Sequence, residues 1–200
     1  MSRVPLGASL LPLPRAFYAR PTELVARELL GKVLVRRTGP REQRARIVEV
    51  EAYLGERDAA SHARRGPTPR AAIMFGPPGF LYVYLVYGMH HCMNFVTETD
   101  GVAGAVLIRA AEPLGDDDPA ALRGPGKLCK GLGVTLADKG CDLTRSAGGL
   151  YVADAGGAAP RVARSPRIGV DYAGEWAAKP LRFFVPRHPS VSGPRLANQT

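Results

Sequence analysis

The sequence predicts an α+β fold: one domain with a mainly antiparallel, curved β-sheet flanked by helices. Three observations carry this. The chain has 200 residues, 46% hydrophobic and 22% charged, which is a globular composition of single-domain size. Several short runs read as strands, rich in β-branched and aromatic residues or alternating with a period of two. Helical patterns are few and lie beside these runs, with no linker long enough to divide the chain, so residues 15–200 are expected to form one unit behind a loose N-terminal arm, 1–14.

The elements follow in order. Thr22 is placed to cap a helix over Glu23–Leu30, with Leu24, Val25 and Leu29 as its apolar side and Gly31 as its stop. Lys32–Arg37 (KVLVRR) reads as a strand and Gly39-Pro40 as a turn. In the next strand, Arg46–Tyr53 (RIVEVEAY), the period of two puts Ile47, Glu49, Glu51 and Tyr53 on one face and Val48 and Val50 on the other. A polar segment, Gly55–Arg70, leads through Gly76-Pro77-Pro78-Gly79 to the strand Phe80–Tyr87 (FLYVYLVY). His91–Thr97 and Ala105–Ala111 continue the sheet; Asp118–Arg123 and Lys127–Leu132 read as helical pieces. Leu150–Ala153, Arg167–Val170 and Leu181–Val185 read as the last strands.

Twenty-seven Lys+Arg against eighteen Asp+Glu leave a net charge of +9. Such an excess points to polyanionic partners, nucleic acid or an anionic membrane surface. No apolar run approaches the ~20 residues that span a bilayer. Prolines at 5, 12 and 14 break the early leucines, so no signal peptide is expected. The three cysteines, Cys92, Cys129 and Cys141, are odd in number and form no CxxC pair. That argues against a disulfide framework or a cysteine zinc site and fits a reducing cytoplasm. Gly124-Pro-Gly-Lys127 lacks the spacing of an ATP-binding phosphate loop. No 20–50-residue repeat recurs.

Several residues are candidates for chemistry. Glu51 ends an apolar strand with Tyr53 on the same face; a strand glutamate is most often solvated, but one among core residues must be paired or used, for instance as a general base. Arg109 interrupts an apolar strand and needs an anion if buried, with Glu51 as a candidate partner. Asn94 is a second polar interruption. His62 stands alone, without the HExxH or CxxC context of a zinc site, so no metal is expected. Tyr53, Tyr82, Tyr84 and Tyr87 cluster in a short stretch. Strand propensity and core packing explain such residues most simply, yet aromatic faces also stack bases. Tyr87, at the turn Tyr87-Gly88-Met89, has the placement of a wedge that enters a duplex.

The ordered set formed by Arg46–Gly55, Asp58–His62, Leu81–Met89, Cys92–Asn94, Val106–Pro113, Gly124–Cys129, Ile168–Trp176 and Lys179–Phe183 resembles the alkyladenine (3-methyladenine) DNA glycosylases, in their bacterial form, over about residues 15–190. The resemblance implies a monomer that removes damaged purines from double-stranded DNA without metal, cofactor or lyase activity. It implies Glu51 as the base that activates water, with Arg109 and the backbone carbonyl of Ile168 holding that water. It implies Tyr53, His62 and Tyr84 as the pocket for the flipped base, Asn94 as a border that disfavours guanine, and Tyr87 with Met89 as the intercalating tip. The chain departs from the pattern at Ala71, where relatives often carry Asn, and in the short connection Leu114–Arg123.

Three rival readings remain at this level. A non-catalytic binding module for bent or damaged DNA would need the basic surface and Tyr87 but not the Glu51–Arg109 pair. An RNA-binding or formyl-transfer domain would need no water-activating carboxylate between tyrosines. A cysteine hydrolase would pair Cys92 with His90, which can share its strand face, or with the adjacent His91, which points the other way.

Overall fold

The structure, a computed structural model, describes residues 10–115 and 117–193. Eight strands form one antiparallel sheet: β1 (Val33–Thr38), β2 (Arg41–Tyr53), β3 (Leu81–Val86), β4 (His90–Val96), β5 (Ala105–Pro113), β6 (Leu150–Ala153), β7 (Ala163–Ser165) and β8 (Arg182–Phe184). The order is β3-β4-β5-β2-β1-β6, with β8 joined to β2 and β7. Helices α1 (Arg15–Tyr18), α2 (Thr22–Leu29) and α3 (Pro125–Gly131) complete the α+β architecture.

Strand β2 organises the fold because it changes partners halfway. Arg41–Arg46 pair with β1, whereas Glu49–Glu51 pair with β8, and the other edge runs along β5. The register with β5 shifts on both sides of Glu49, so a bulge sits at Val48–Glu49. A bulge resets the inside–outside alternation. Ile47 therefore joins Val50 and Ala52 in the main core, while Val48 packs with Ala110, Phe184, Val185 and Val191. This corrects the simple period of two, which put Ile47 with the glutamates. The strand is also longer at its start than Arg46, because Arg41–Arg46 complete the hairpin with β1.

One sheet face holds the main core. There α2 buries Thr22, Val25, Ala26 and Leu29, the one-face spacing of a helix, while Leu24 is exposed. Thr22 is the first helical residue rather than the cap; its hydroxyl donates to Glu98 Oε1 at 2.6 Å, and its backbone N–H donates to the same oxygen at 2.7 Å. Leu128, Cys129 and Leu132 bring α3 and its end onto the same core. The other face is covered by the 3₁₀ turns between residues 55 and 75. Ala63, Ala71 and Met74 from this segment pack on Tyr82, Val96 and Ala105. Ala71, the departure noted above, is fully buried and closes this loop by apolar contact.

Two expected elements are absent. Residues 118–123 form turns rather than a helix, and residues 167–170 form a turn, with β7 lying earlier at Ala163–Ser165. Gly169 explains the latter: its φ of +76° is a turn conformation that a strand does not use. Of the expected arm, residues 1–9 lie outside the described residues. Leu10 and Leu13 are buried, and Pro12 bridges Ala153, so the end of this segment is packed on β6.

Candidate active site

Alternation along four neighbouring strands builds the site on the sheet face opposite α2, with the start of α3 at its edge. Leu81, Val83, Met93, Phe95, Val106 and Ile108 point into the main core. Tyr82 and Tyr84 of β3, Cys92 and Asn94 of β4, and Leu107 and Arg109 of β5 must then point the other way, and all six line a cavity of about 790 Å³. Tyr53 of β2 joins them. The register sets Tyr82 opposite Asn94, Asn94 opposite Leu107, and Leu107 opposite Glu51, a row across β3, β4, β5 and β2. Residues more than forty positions apart thus become neighbours through strand pairing alone.

Glu51 has no exposed surface. It lies directly behind the cavity wall, because its three partners are wall residues. The Tyr53 hydroxyl donates to Oε2 at 2.9 Å, the backbone N–H of Ile168 donates to Oε1 at 2.8 Å, and Arg109 Nη1 lies 3.2 Å from Oε1. A carboxylate offers about four lone-pair sites, so Oε2 retains capacity for one more hydrogen. The Ile168 contact is an N–H donation to Glu51. The role that the resemblance implies for its carbonyl, holding the water, is a separate one.

Arg109 also reaches a second carboxylate. Its Nε donates to Glu49 Oε1 at 3.2 Å. Glu49 further accepts from Arg182 Nε at 2.7 Å, from the Ser192 N–H at 2.7 Å and from the Ser192 hydroxyl at 3.0 Å. Burial alone would lower the Arg109 pKa, but Glu51 and then Glu49 outweigh it and leave the guanidinium more firmly protonated than usual.

The aromatic side of the cavity is interlocked. His62 Nδ1 shares a hydrogen bond of 2.9 Å with the Tyr82 hydroxyl, and its ring meets Tyr84 edge-on at 4.5 Å between centroids. Burial, and then the charge of Arg70, lower the His62 pKa to about 4, so the imidazole is neutral at pH 7. Tyr53 is raised well above the usual tyrosine range, by burial and then by the Glu51 charge; burial also raises Tyr84 and the Cys92 thiol. These side chains are therefore neutral hydrogen-bonding surfaces. The raised Cys92 removes the thiolate that the cysteine-hydrolase reading requires. Asn94 is buried, and its Nδ2 donates to the Tyr82 carbonyl at 3.2 Å.

At the mouth, Tyr87 is 89% exposed and Met89 71% exposed. Tyr87 and Gly88 both have positive φ, +51° and +68°, and the Met89 N–H returns to the Val86 carbonyl. Tyr87 and Gly88 are thus two successive left-handed residues in the three-residue connection between β3 and β4. This connection holds a large aromatic ring in solvent at the cavity rim, next to a methionine. Ile168 and Tyr172 form another part of the rim, and Lys127 of α3 stands there as an exposed cation.

The structure thus brings together Glu51, Tyr53, His62, Tyr84, Asn94, Tyr87, Arg109 and Ile168, with Met89 beside Tyr87. Sequence reasoning missed four participants. Glu49 was noted only as a face-mate of Glu51, although two glutamates on one face of an apolar strand are a signal. Arg70, which lines the cavity with its guanidinium 5.1 Å from the Tyr84 ring centre, sits in an unremarkable polar turn. Asp58 and Arg167 form a buried pair, and nothing in their spacing announces it. Among the described residues, no group of three His, Cys, Asp or Glu is arranged to hold a metal ion.

Known proteins resemble this chain over most of its length. The model of the methylpurine-DNA glycosylase (MPG) family matches residues 16–189. A protein of Anaeromyxobacter dehalogenans (strain 2CP-1) is 55% identical over 92% of this chain and 87% of its own length. One from Methanocella arvoryzae is 52% identical over 90% and 95%, and one from Legionella pneumophila (strain Lens) 49% identical over 90% and 97%. All three carry the name "Putative 3-methyladenine DNA glycosylase". The family match spans the whole sheet and every strand that builds the cavity, and on that basis the chain belongs to the methylpurine-DNA glycosylase family.

Proposed function

We propose that this protein flips an alkylated purine out of duplex DNA into the aromatic cavity and hydrolyses its N-glycosidic bond with a water activated by Glu51. A base within a duplex is out of reach, and extruding it costs a few kcal/mol. Tyr87, held at the rim on its strained turn, is shaped to fill the vacated stack and offset that cost. Alkylation at N3 or N7 makes the purine cationic. The rings of Tyr53 and Tyr84 favour such a ring by stacking and cation–π attraction, and the cation is already a good leaving group. As the bond to the sugar breaks, positive charge develops at the sugar carbon. Glu51 faces that charge, takes a proton from water through its remaining lone pair on Oε2, and directs the resulting hydroxide to the sugar. Arg109 and the Ile168 N–H hold the carboxylate in place.

The observation that carries this reading is the position of Glu51, immediately behind a cavity whose walls are tyrosines and whose rim bears an exposed wedge. Asn94 borders the pocket, where the exocyclic amine of guanine would meet it, so normal guanine is disfavoured. Hydroxide attack leaves an intact abasic site, because among the described residues no amine stands beside Glu51 and Lys127, the cavity's lysine, is at the rim. The protein acts as a monomer in the cytoplasm on double-stranded DNA.

The test is direct. Duplexes carrying 3-methyladenine, 7-methylguanine, hypoxanthine or ethenoadenine are incubated with the protein without added metal. Free base and alkali-labile sites are expected from the two cationic lesions, 3-methyladenine and 7-methylguanine, with no borohydride-trapped adduct. Glu51→Gln is expected to bind the lesion yet release no base. Normal single-turnover excision by that variant would remove the mechanism.

A further inference from the structure

Arg167 and Asp58 form a bidentate ion pair, Nη1 to Oδ2 at 2.5 Å and Nη2 to Oδ1 at 2.9 Å, with both side chains fully buried. The pair lies outside the cavity lining but touches the wall from behind. The Arg167 guanidinium carbon is 4.6 Å from the centre of the Tyr53 ring, and Tyr53 is a wall residue. The same guanidinium donates to the Ala52 carbonyl at 2.9 Å, while its Nε is buried with no hydrogen-bond partner among the described residues. Asp58 accepts the N–H groups of Leu54 and Ala60, each at 3.0 Å, which fixes the loop between Tyr53 and His62. Arg167 is the neighbour of Ile168, whose N–H reaches Glu51.

From this arrangement we infer that the Asp58–Arg167 pair positions the Tyr53 wall and sets the charge behind it, and so determines how the pocket discriminates between cationic and neutral lesions. The inference rests on the reading of the cavity as a flipped-base pocket. A base stacked on the free face of Tyr53 would lie roughly 8 Å from the guanidinium, one stacking distance beyond the ring. At an effective dielectric of about 20, unit charges at that distance alter affinity by an order of magnitude or more. A lone guanidinium there would repel a cationic purine. Asp58 cancels it, so the pair adds no net charge behind the aromatic face. Arg167 is retained because its planar group both grips Asp58 in two places and stacks on the ring, which a lysine cannot do.

The experiment measures a ratio. Single-turnover excision of 7-methylguanine, which is cationic, is compared with that of hypoxanthine, which is neutral, in otherwise identical duplexes. For a lesion that the unmodified protein leaves intact, competition binding on the Glu51→Gln background replaces excision. Asp58→Asn keeps the size of the side chain and leaves the Arg167 charge uncompensated. It is expected to lower the preference for the cationic lesion at least tenfold. Arg167→Met leaves the Asp58 charge uncompensated and is expected to move the same ratio in the opposite direction. Because each ratio is internal to one variant, a loss of stability cancels, and circular dichroism confirms that the assayed protein is folded. If both variants lower activity on the two lesions equally, or if neither changes the ratio, the pair is only a clamp and the inference fails. Arg167→Lys, with the charge kept and the stack lost, is expected to preserve the ratio while lowering the excision rate. If the unmodified protein neither cuts nor prefers any lesion, the reading of the pocket itself falls instead.

Discussion

Glu49 and Glu51 share one cation: Arg109 lies 3.2 Å from Oε1 of each, through Nε and Nη1 respectively. The two carboxylates differ in everything else they touch. Glu49 takes four donors, from Arg109, Arg182 and both polar groups of Ser192, whereas Glu51 takes three, and its Oε2 carries only the Tyr53 hydroxyl. On the mechanism proposed above, Glu49 is the anchor and Glu51 the reactive group. Removing one partner from a buried charged network costs about 3–5 kcal/mol, so Glu49→Gln is expected to be the more destabilising change in urea unfolding. Glu51→Gln leaves Arg109 still paired with Glu49; it is expected to lose less stability and all base excision. The reverse ranking in stability would overturn this division of roles.

Tyr87 is held against its own backbone preference. A left-handed φ costs an L-residue roughly 1–2 kcal/mol, and glycine escapes that cost. With 89% of the side chain in solvent, little packing offsets it. Tyr87→Gly is thus expected to leave the thermal midpoint unchanged or higher, while lesion-DNA affinity falls at least several-fold. Lower stability with unaltered affinity would make Tyr87 a folding residue and not a wedge.

Much of the sheet was legible because strands announce themselves locally. β3, β4, β5 and β6 follow from their own β-branched and aromatic residues, and the Tyr82/Tyr84 and Cys92/Asn94 faces from simple alternation. What alternation cannot reveal is an extra residue. The bulge at Val48–Glu49 moved Ile47 to the opposite face from Glu51. The candidate site was legible where one residue breaks an apolar run, as Glu51 and Arg109 do. It was not legible where two ordinary charged residues meet across the fold. Asp58 and Arg167 are 109 positions apart, and only the packed loop brings them into contact. Arg167 moreover falls in a stretch that reads as a strand, which the left-handed Gly169 prevents.

The net charge of +9 has its own consequence. Each phosphate neutralised by Lys or Arg contributes about −0.9 to the slope of log affinity against log salt. Lys127 is exposed at the rim on α3, and the proposed complex would bring a phosphate of the flipped nucleotide to it. Lys127→Ala is expected to weaken lesion and undamaged duplexes alike and to flatten the salt slope by about one. Fluorescence anisotropy at several salt concentrations measures it. A loss confined to lesion DNA, at unchanged slope, would instead place Lys127 on the base.

His62 supplies a pH signature with a definite sign. In the unfolded chain it titrates near 6.5, and in the fold burial and Arg70 lower it to about 4. Between these values the unfolded chain holds a proton that the folded one lacks. Acidification therefore favours unfolding throughout this window. The His62 contribution is complete above about pH 6.5, declines as the pH falls toward 4, and changes no further below that. His188 is lowered too, so the measurement is the difference between the unmodified protein and His62→Gln: the two stability curves are expected to converge as the pH falls from 6.5 to 4. Curves that stay parallel through the window would show that His62 is not held neutral. The same neutrality matters to the purine. At pH 7 the imidazole brings no charge against a cationic base, and its edge-on contact keeps Tyr84 in place. Excision of 7-methylguanine is accordingly expected to show no His62-dependent inflection between pH 6 and 8, and His62→Lys, which sets a cation into the wall, to suppress the cationic lesion more than hypoxanthine.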